Sequence, residues 1–134
     1  MKKDTKIKIG VIGVGYLGHF HLKQLKGISN VAISGLYDSN PKRADEMSLL
    51  HNVHSYSSLD EILDKSDAVS IVTPTSKHYS VADKALNEDC NIFIEKPITD
   101  NIDHAELLLN KAKKLKKIIQ VGHIERFNPA FNLL

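Results

Sequence analysis

Short apolar runs of strand length alternate with segments of helical period from one end of the chain to the other. That alternation predicts repeated strand–helix units and a parallel sheet whose two faces are both covered. The first strand is expected over Lys6–Ile12, followed by a helix in which Leu17, Phe20, Leu25 and Ile28 share one arc. A second strand is expected over Val31–Tyr37, and Asn40 then caps a helix with Pro41 in its first turn, running towards Leu50. A short strand is placed near Val53. Ser58 and Glu61 have the spacing of a capping box ahead of Ile62 and Leu63. Asp67–Thr73 is the next strand and Pro74 ends it, after which Val81/Ala85 and Ala82/Leu86 give the following helix its buried stripe. Asn91–Ile94 is a further short strand. Ala105, Leu108, Leu109, Ala112 and Leu115 mark an amphipathic helix, and Ile118–Val121 closes the sheet. The expected architecture is α/β: a doubly wound, mainly parallel sheet of about six strands with helices on both faces.

A chain of 134 residues with 42% hydrophobic side chains supports one core and one domain. Eighteen basic groups against sixteen acidic ones leave a net charge of only +2, too little for an electrostatic nucleic-acid partner. Cys90 is the sole cysteine, so folding needs no intrachain disulfide, and a cytoplasmic setting is expected. Ile7–Val14 is too short and too often interrupted, by Lys8, Gly10 and Gly13, for a signal peptide, and no run reaches membrane-span length. No membrane partner is expected.

The chemistry begins at Gly13-Val14-Gly15-Tyr16-Leu17-Gly18, a GxGxxG pattern set between the first strand and the first helix. Gly13 permits the tight turn, Gly15 lets the backbone approach a pyrophosphate, and Gly18 allows the helix to pack closely on the strand. The helix N-terminus then offers free N–H groups and partial positive charge to phosphates. Asp38 ends the second strand 20 residues beyond Gly18, where a carboxylate accepts hydrogen bonds from ribose hydroxyls and repels a 2′-phosphate. These features together predict a Rossmann-type domain that binds NAD, with NADP as the lesser alternative. Arg43, one turn into the next helix, is either a partner for a 2′-phosphate or a solvated helix residue.

With Glu95-Lys96-Pro97, that turn and the loop Thr73-Pro74-Thr75-Ser76-Lys77-His78, the chain resembles the glucose–fructose oxidoreductase/inositol dehydrogenase (Gfo/Idh/MocA) family along essentially its whole length. The resemblance implies a cofactor-binding domain over residues 1–122. Residues 123–134 would begin the connection to a second, sheet-rich domain carrying further catalytic groups and the contacts of a homo-oligomer. Lys96 would lie beside the nicotinamide and touch the substrate hydroxyl, and Glu95 would contact the nicotinamide-side ribose. Tyr16 and Leu17 belong to the phosphate turn, and Thr73, Pro74 and His78 would line the cofactor edge. Pro97 would follow a cis bond. Hydride removal from an alcohol leaves a proton to be taken up, a task suited to a lysine at the C-terminal edge of a strand, where ligands bind in open α/β sheets. Without that position the alternative for Lys96, an exposed lysine at a strand end, would be preferred.

Gly122-His123-Ile124-Glu125-Arg126-Phe127-Asn128-Pro129-Ala130 resembles the branch of the family that oxidises nucleotide sugars at a sugar C3 hydroxyl. On that likeness Arg126, Phe127 and Asn128 border the substrate; otherwise they cap a hinge. The expected activity is hydride transfer between a sugar or nucleotide-sugar hydroxyl carbon and nicotinamide. The alternatives are a family member acting on inositol or a free sugar, and a non-catalytic dinucleotide sensor or scaffold. Seven histidines do not suggest a metal: His19 and His21 fall on different helix faces, and His51 and His54 lack an evident third ligand. His21 reads as a core histidine satisfied by one hydrogen bond. Lys111, Lys113, Lys114, Lys116 and Lys117 complement a helix C-terminus and solvate its outer face.

Overall fold

The computed structural model describes residues 5–133. The first four residues and Leu134, which the expected domain limits include, lie outside the described residues. Five strands, β1 (Ile7–Ile12), β2 (Val31–Tyr37), β3 (Ala68–Ile71), β4 (Asn91–Ile94) and β5 (Ile119–Val121), pair in the order β2-β1-β3-β4-β5, all parallel. The helices are α1 (Tyr16–Leu25), α2 (Pro41–His51), α3 (Leu59–Asp64), α4 (Thr75–Asn87) and α5 (Ile102–Leu115). Two short 3-10 turns follow, at Ile124–Phe127 and Pro129–Leu133.

The two-residue period of a strand divides the core. Val11 joins Val14, Leu22, Leu36, Ala44 and Met47 under α1 and α2 on one face of the sheet. Its neighbour Ile12 joins Ile71, Ile94, Leu86 and Leu108 under α4 and α5 on the other. Both residues are fully buried, which is why β1 reads as a continuous apolar run rather than an alternating one.

The expected sixth strand near Val53 does not form; only a single bridge joins Ser55 to Leu36. The neighbouring helix ends consume the segment. Asn52 turns left-handed at the end of α2, and the Val53 N–H returns to the Ser48 carbonyl. Glu61 reaches back past Ser58 to the Ser57 N–H and hydroxyl, while the Ser58 hydroxyl accepts from the Glu61 N–H. Too little chain remains between these caps to extend a ladder.

The arc expected on α1 is also displaced. Gly18 and Leu22 face the interior, whereas Leu17 and Phe20 are exposed and Ile28 lies beyond the helix end. Close approach of α1 to the β1 turn sets this rotation, because a Cβ on Gly18 would collide with the Gly13 carbonyl oxygen. On α5 the buried positions are Leu108 and Ala112, with Leu109 and Leu115 exposed.

Candidate functional site

The chain passes from β1 to β2 on one side and crosses back to β3 on the other, so a crevice opens between the C-terminal ends of β1 and β3. A cleft of about 730 Å³ occupies it. Gly13, Gly15, Tyr16 and Leu17 line one wall, Asp38 and Arg43 the second, and Thr73, Pro74 and Lys77 the third. Three predicted regions distant in sequence thus converge on one space.

Gly13 has φ +88°, a conformation that L side chains rarely adopt. A Cβ at Gly15 would meet nothing within 4 Å, so the missing side chain there leaves an open cradle instead of relieving a protein contact. Gly15 is the N-cap of α1 and no side chain caps the helix. The N–H groups of Tyr16, Leu17 and Gly18, the first turn, therefore have no intrahelical acceptor. That arrangement suits an anion.

Asp38 spends its carboxylate on the backbone. Oδ2 accepts the Val14 N–H at 2.9 Å and Oδ1 the Asn40 N–H at 2.8 Å. Arg43 donates Nε–H to the Val14 carbonyl at 2.8 Å and pairs loosely with Glu46 at 3.5 Å. Across the cleft the Thr73 hydroxyl oxygen is buried without a hydrogen-bond partner among the described residues, a cost the fold carries unless a ligand meets it.

A second group adjoins the cleft without lining it. Glu95, directly after β4, accepts from His21 Nε2 at 2.8 Å, and His21 Nδ1 lies 2.7 Å from the Ser70 hydroxyl. His21 therefore makes two hydrogen bonds, not the single one expected, and it is partly exposed rather than core. Lys96 is exposed, its N–H faces Glu95 Oε2 at 3.3 Å, and the Lys96–Pro97 bond is cis. His78 is 1% exposed, with Nδ1 2.8 Å from the Pro97 carbonyl and Nε2 2.9 Å from the Thr73 carbonyl. Both ring nitrogens meet the backbone, so His78 acts on the cleft through the two loops it joins. Arg126, Phe127 and Asn128 lie on the exposed surface of the first 3-10 turn and its end, where Asn128 donates to Glu125 at 2.9 Å.

Sequence reasoning missed Lys77, Tyr37, Leu59 and Val81 as cleft residues. Lys77 had a legible signal, since it stands in the first turn after the Pro74 break. The other three look like ordinary core positions until the topology places them at the strand ends. Ser70 and His21 are separated by 49 residues, and nothing in the sequence joins them.

The model of a family described as "Oxidoreductase family, NAD-binding Rossmann fold" (Gfo/Idh/MocA) matches residues 7–123. UDP-N-acetylglucosamine 3-dehydrogenase of Acidithiobacillus ferrooxidans is 40% identical over 128 residues, 96% of this chain and 40% of that protein. The scyllo-inositol 2-dehydrogenase (NAD(+)) of Bacillus subtilis is 32% identical, over 96% of this chain and 39% of its own length. A solved structure of the Acidithiobacillus ferrooxidans enzyme superposes with a TM-score of 0.90 at 38% identity, covering 96% of this chain and 42% of that one. The chain thus spans about two fifths of the length of these relatives. With the glycine turn, the crevice and the Glu95-Lys96-Pro97 loop in their observed places, the match over residues 7–123 makes this chain a member of the Gfo/Idh/MocA oxidoreductase family through its NAD-binding Rossmann fold.

Proposed function

We propose that this chain is the coenzyme-holding part of a dehydrogenase that oxidises a hydroxyl of a sugar or nucleotide sugar, with UDP-N-acetylglucosamine C3 as the first candidate. The observation that carries the coenzyme part is the open cradle at Gly15 beneath the uncapped first turn of α1. The pyrophosphate accepts N–H bonds from that turn, and the Thr73 hydroxyl, otherwise unsatisfied, donates to the bound dinucleotide. The sugar preference leans on the 40% identity to the Acidithiobacillus ferrooxidans enzyme and on the Arg126-Phe127-Asn128 stretch.

NAD is preferred over NADP in this reading. Asp38 retains lone pairs for ribose hydroxyls, and its negative charge opposes a 2′-phosphate. Arg43 lines the same wall, but its Nε–H is given to the Val14 carbonyl and its guanidinium stands beside Glu46, so part of its charge is already engaged within the protein. When bound, NAD supplies the hydride acceptor. Lys96 holds the reacting hydroxyl oxygen and takes up the proton released there. Glu95 receives the nicotinamide-side ribose, Pro74 walls the cofactor edge, and His78 fixes the Thr73 and Pro97 carbonyls on either side. Residues 123–134 lead into a substrate domain whose contacts build a homo-oligomer, and the enzyme works in the cytoplasm.

Two measurements test this. Titration of the chain with NAD and NADP should give saturable binding with NAD the tighter; absence of binding at millimolar NAD would end the proposal. A polypeptide joining this chain to its substrate domain should reduce NAD with UDP-N-acetylglucosamine. Reduction with inositol alone would move the substrate to the class named by the Bacillus subtilis relative.

A further inference from the structure

We infer that His21 and Ser70 are positioning residues that aim the Glu95 carboxylate at the coenzyme's nicotinamide-side ribose, an inference that rests on the role given to Glu95 above. The three groups form one line, Ser70 Oγ to His21 Nδ1 at 2.7 Å and His21 Nε2 to Glu95 Oε1 at 2.8 Å. An ionised carboxylate only accepts hydrogen bonds, so the proton between ring and carboxylate belongs to Nε2. In the neutral ring Nδ1 is then an acceptor, and the Ser70 hydroxyl donates to it. One tautomer satisfies the whole line.

The anchor of the line is rigid. Ser70 is 4% exposed, in the central strand β3 between the fully buried Val69 and Ile71. A hydroxyl there costs stability unless it is bonded. The His21 ring meets Phe93 edge-on, centroids 5.6 Å apart, which leaves it little freedom to swing. The opposite side of the carboxylate is bounded by Gly122, where a Cβ would come within 3.2 Å of Oε2. With Oε1 held by His21, Oε2 keeps among the described residues only the long bond from the Lys96 N–H, and its remaining lone pairs are available to ribose hydroxyls.

The order serine, histidine, acid is also that of a hydrolytic triad. Here the serine lies inside the sheet and the acid at the site, so the line delivers orientation and not a nucleophile. His21 sits in the same ten-residue helix whose first turn faces the pyrophosphate. A single helix thereby sets both the phosphate turn that lines the cleft and, through His21, the carboxylate that adjoins it.

ADP separates the two ends, since it carries the adenosine and pyrophosphate but no nicotinamide ribose. Calorimetric titration of the chain with NAD and with ADP should show NAD binding more tightly. His21→Asn keeps an amide near Ser70 but cannot reach Glu95. It should weaken NAD roughly tenfold while changing ADP by no more than about twofold. His21→Gln, whose amide nitrogen falls near the Nε2 position, should recover most of the loss. Ser70→Ala should give a smaller loss, confined to NAD. Unchanged NAD affinity in His21→Asn, or a parallel fall for ADP, would overturn the inference. Glu95→Ala distinguishes the two levels. If it erases the advantage of NAD over ADP while His21→Asn leaves it, Glu95 keeps its role and His21 loses it; if neither variant matters, both fail.

Discussion

Asp38 holds the turn of the glycine motif by the Val14 peptide: Oδ2 accepts the Val14 N–H at 2.9 Å. Arg43 takes the carbonyl of the same residue at 2.8 Å, so the peptides of a fully buried residue are fixed from both sides by chain that lies beyond β2. The carboxylate expected to read ribose hydroxyls therefore also builds the turn.

Asp38→Ala should show both functions. NAD affinity should fall by more than NADP affinity, because the repulsion of a 2′-phosphate disappears with the carboxylate. The protein should also lose about 1–3 kcal/mol of stability from the orphaned Val14 N–H. Parallel coenzyme titrations and urea unfolding of the same variant check the two parts. Equal losses for NAD and NADP would leave Asp38 only its structural part.

How far the sequence discloses this site depends on the range of the interactions. The strands were legible because burial on both faces leaves continuous apolar runs, and β2 and β4 fall at the expected residues. The glycine turn was legible because its function is backbone conformation, which glycine advertises. The rotation of α1 was not: apolar residues at 17, 20 and 28 suggested the inward face, but tight packing on the turn needs the smallest residue, and Gly18 takes that place. Cross-links such as Asp38 to Val14, His78 to the Thr73 and Pro97 carbonyls, and His21 to Glu95 join residues up to 74 positions apart. Local pattern carries no trace of such pairs until the sheet order is known.

Gly15 and Gly18 should respond to substitution in opposite ways. Gly15→Ser places a side chain in open space at an N-cap with φ −67°, and serine is a favoured cap. Stability should hold within about 1 kcal/mol or rise. The serine oxygen would, however, project into the cradle and bond an N–H of the first turn, so NAD affinity should drop sharply. Gly18→Ala drives a methyl into the Gly13 carbonyl and should cost about 1–3 kcal/mol or more in unfolding experiments. Tight NAD binding by Gly15→Ser would mean that the cradle does not hold the pyrophosphate.

Lys96 should separate binding from chemistry. It is exposed, and its side chain makes no hydrogen bond or ion pair among the described residues. Lys96→Ala should accordingly leave unfolding and NAD titration nearly unchanged in this chain. In a polypeptide that also contains the substrate domain, the same change should lower turnover by about a hundredfold or more. Loss of NAD binding in step with turnover would make Lys96 a coenzyme ligand and not the group that handles the substrate proton.

Acid sensitivity should arise away from the cleft, at the contact of α1 with α2. His51, in the last turn of α2, is 6% exposed, and its Nε2 lies 2.8 Å from His19 Nδ1. Its own carbonyl accepts the Lys26 ammonium. Burial foremost, then the Lys26 charge and then His19, hold the His51 pKa below its ordinary 6.5. A histidine at a helix C-terminus usually gains from the dipole as a cation; here desolvation and the adjacent ammonium outweigh that gain. The unfolded chain takes up a proton near pH 6.5 that the folded chain resists, so the unfolded state binds more protons just below that pH. His51 thus supports the fold fully above 6.5, and its support is lost as pH falls through 6.5 towards the lowered folded value. Urea midpoints measured from about pH 7.5 to about pH 5.5 should decline on the acid side, and His51→Gln, which carries no proton to gain, should decline less. If wild type and His51→Gln lose stability in parallel across that range, proton uptake at His51 is not what weakens the α1–α2 contact.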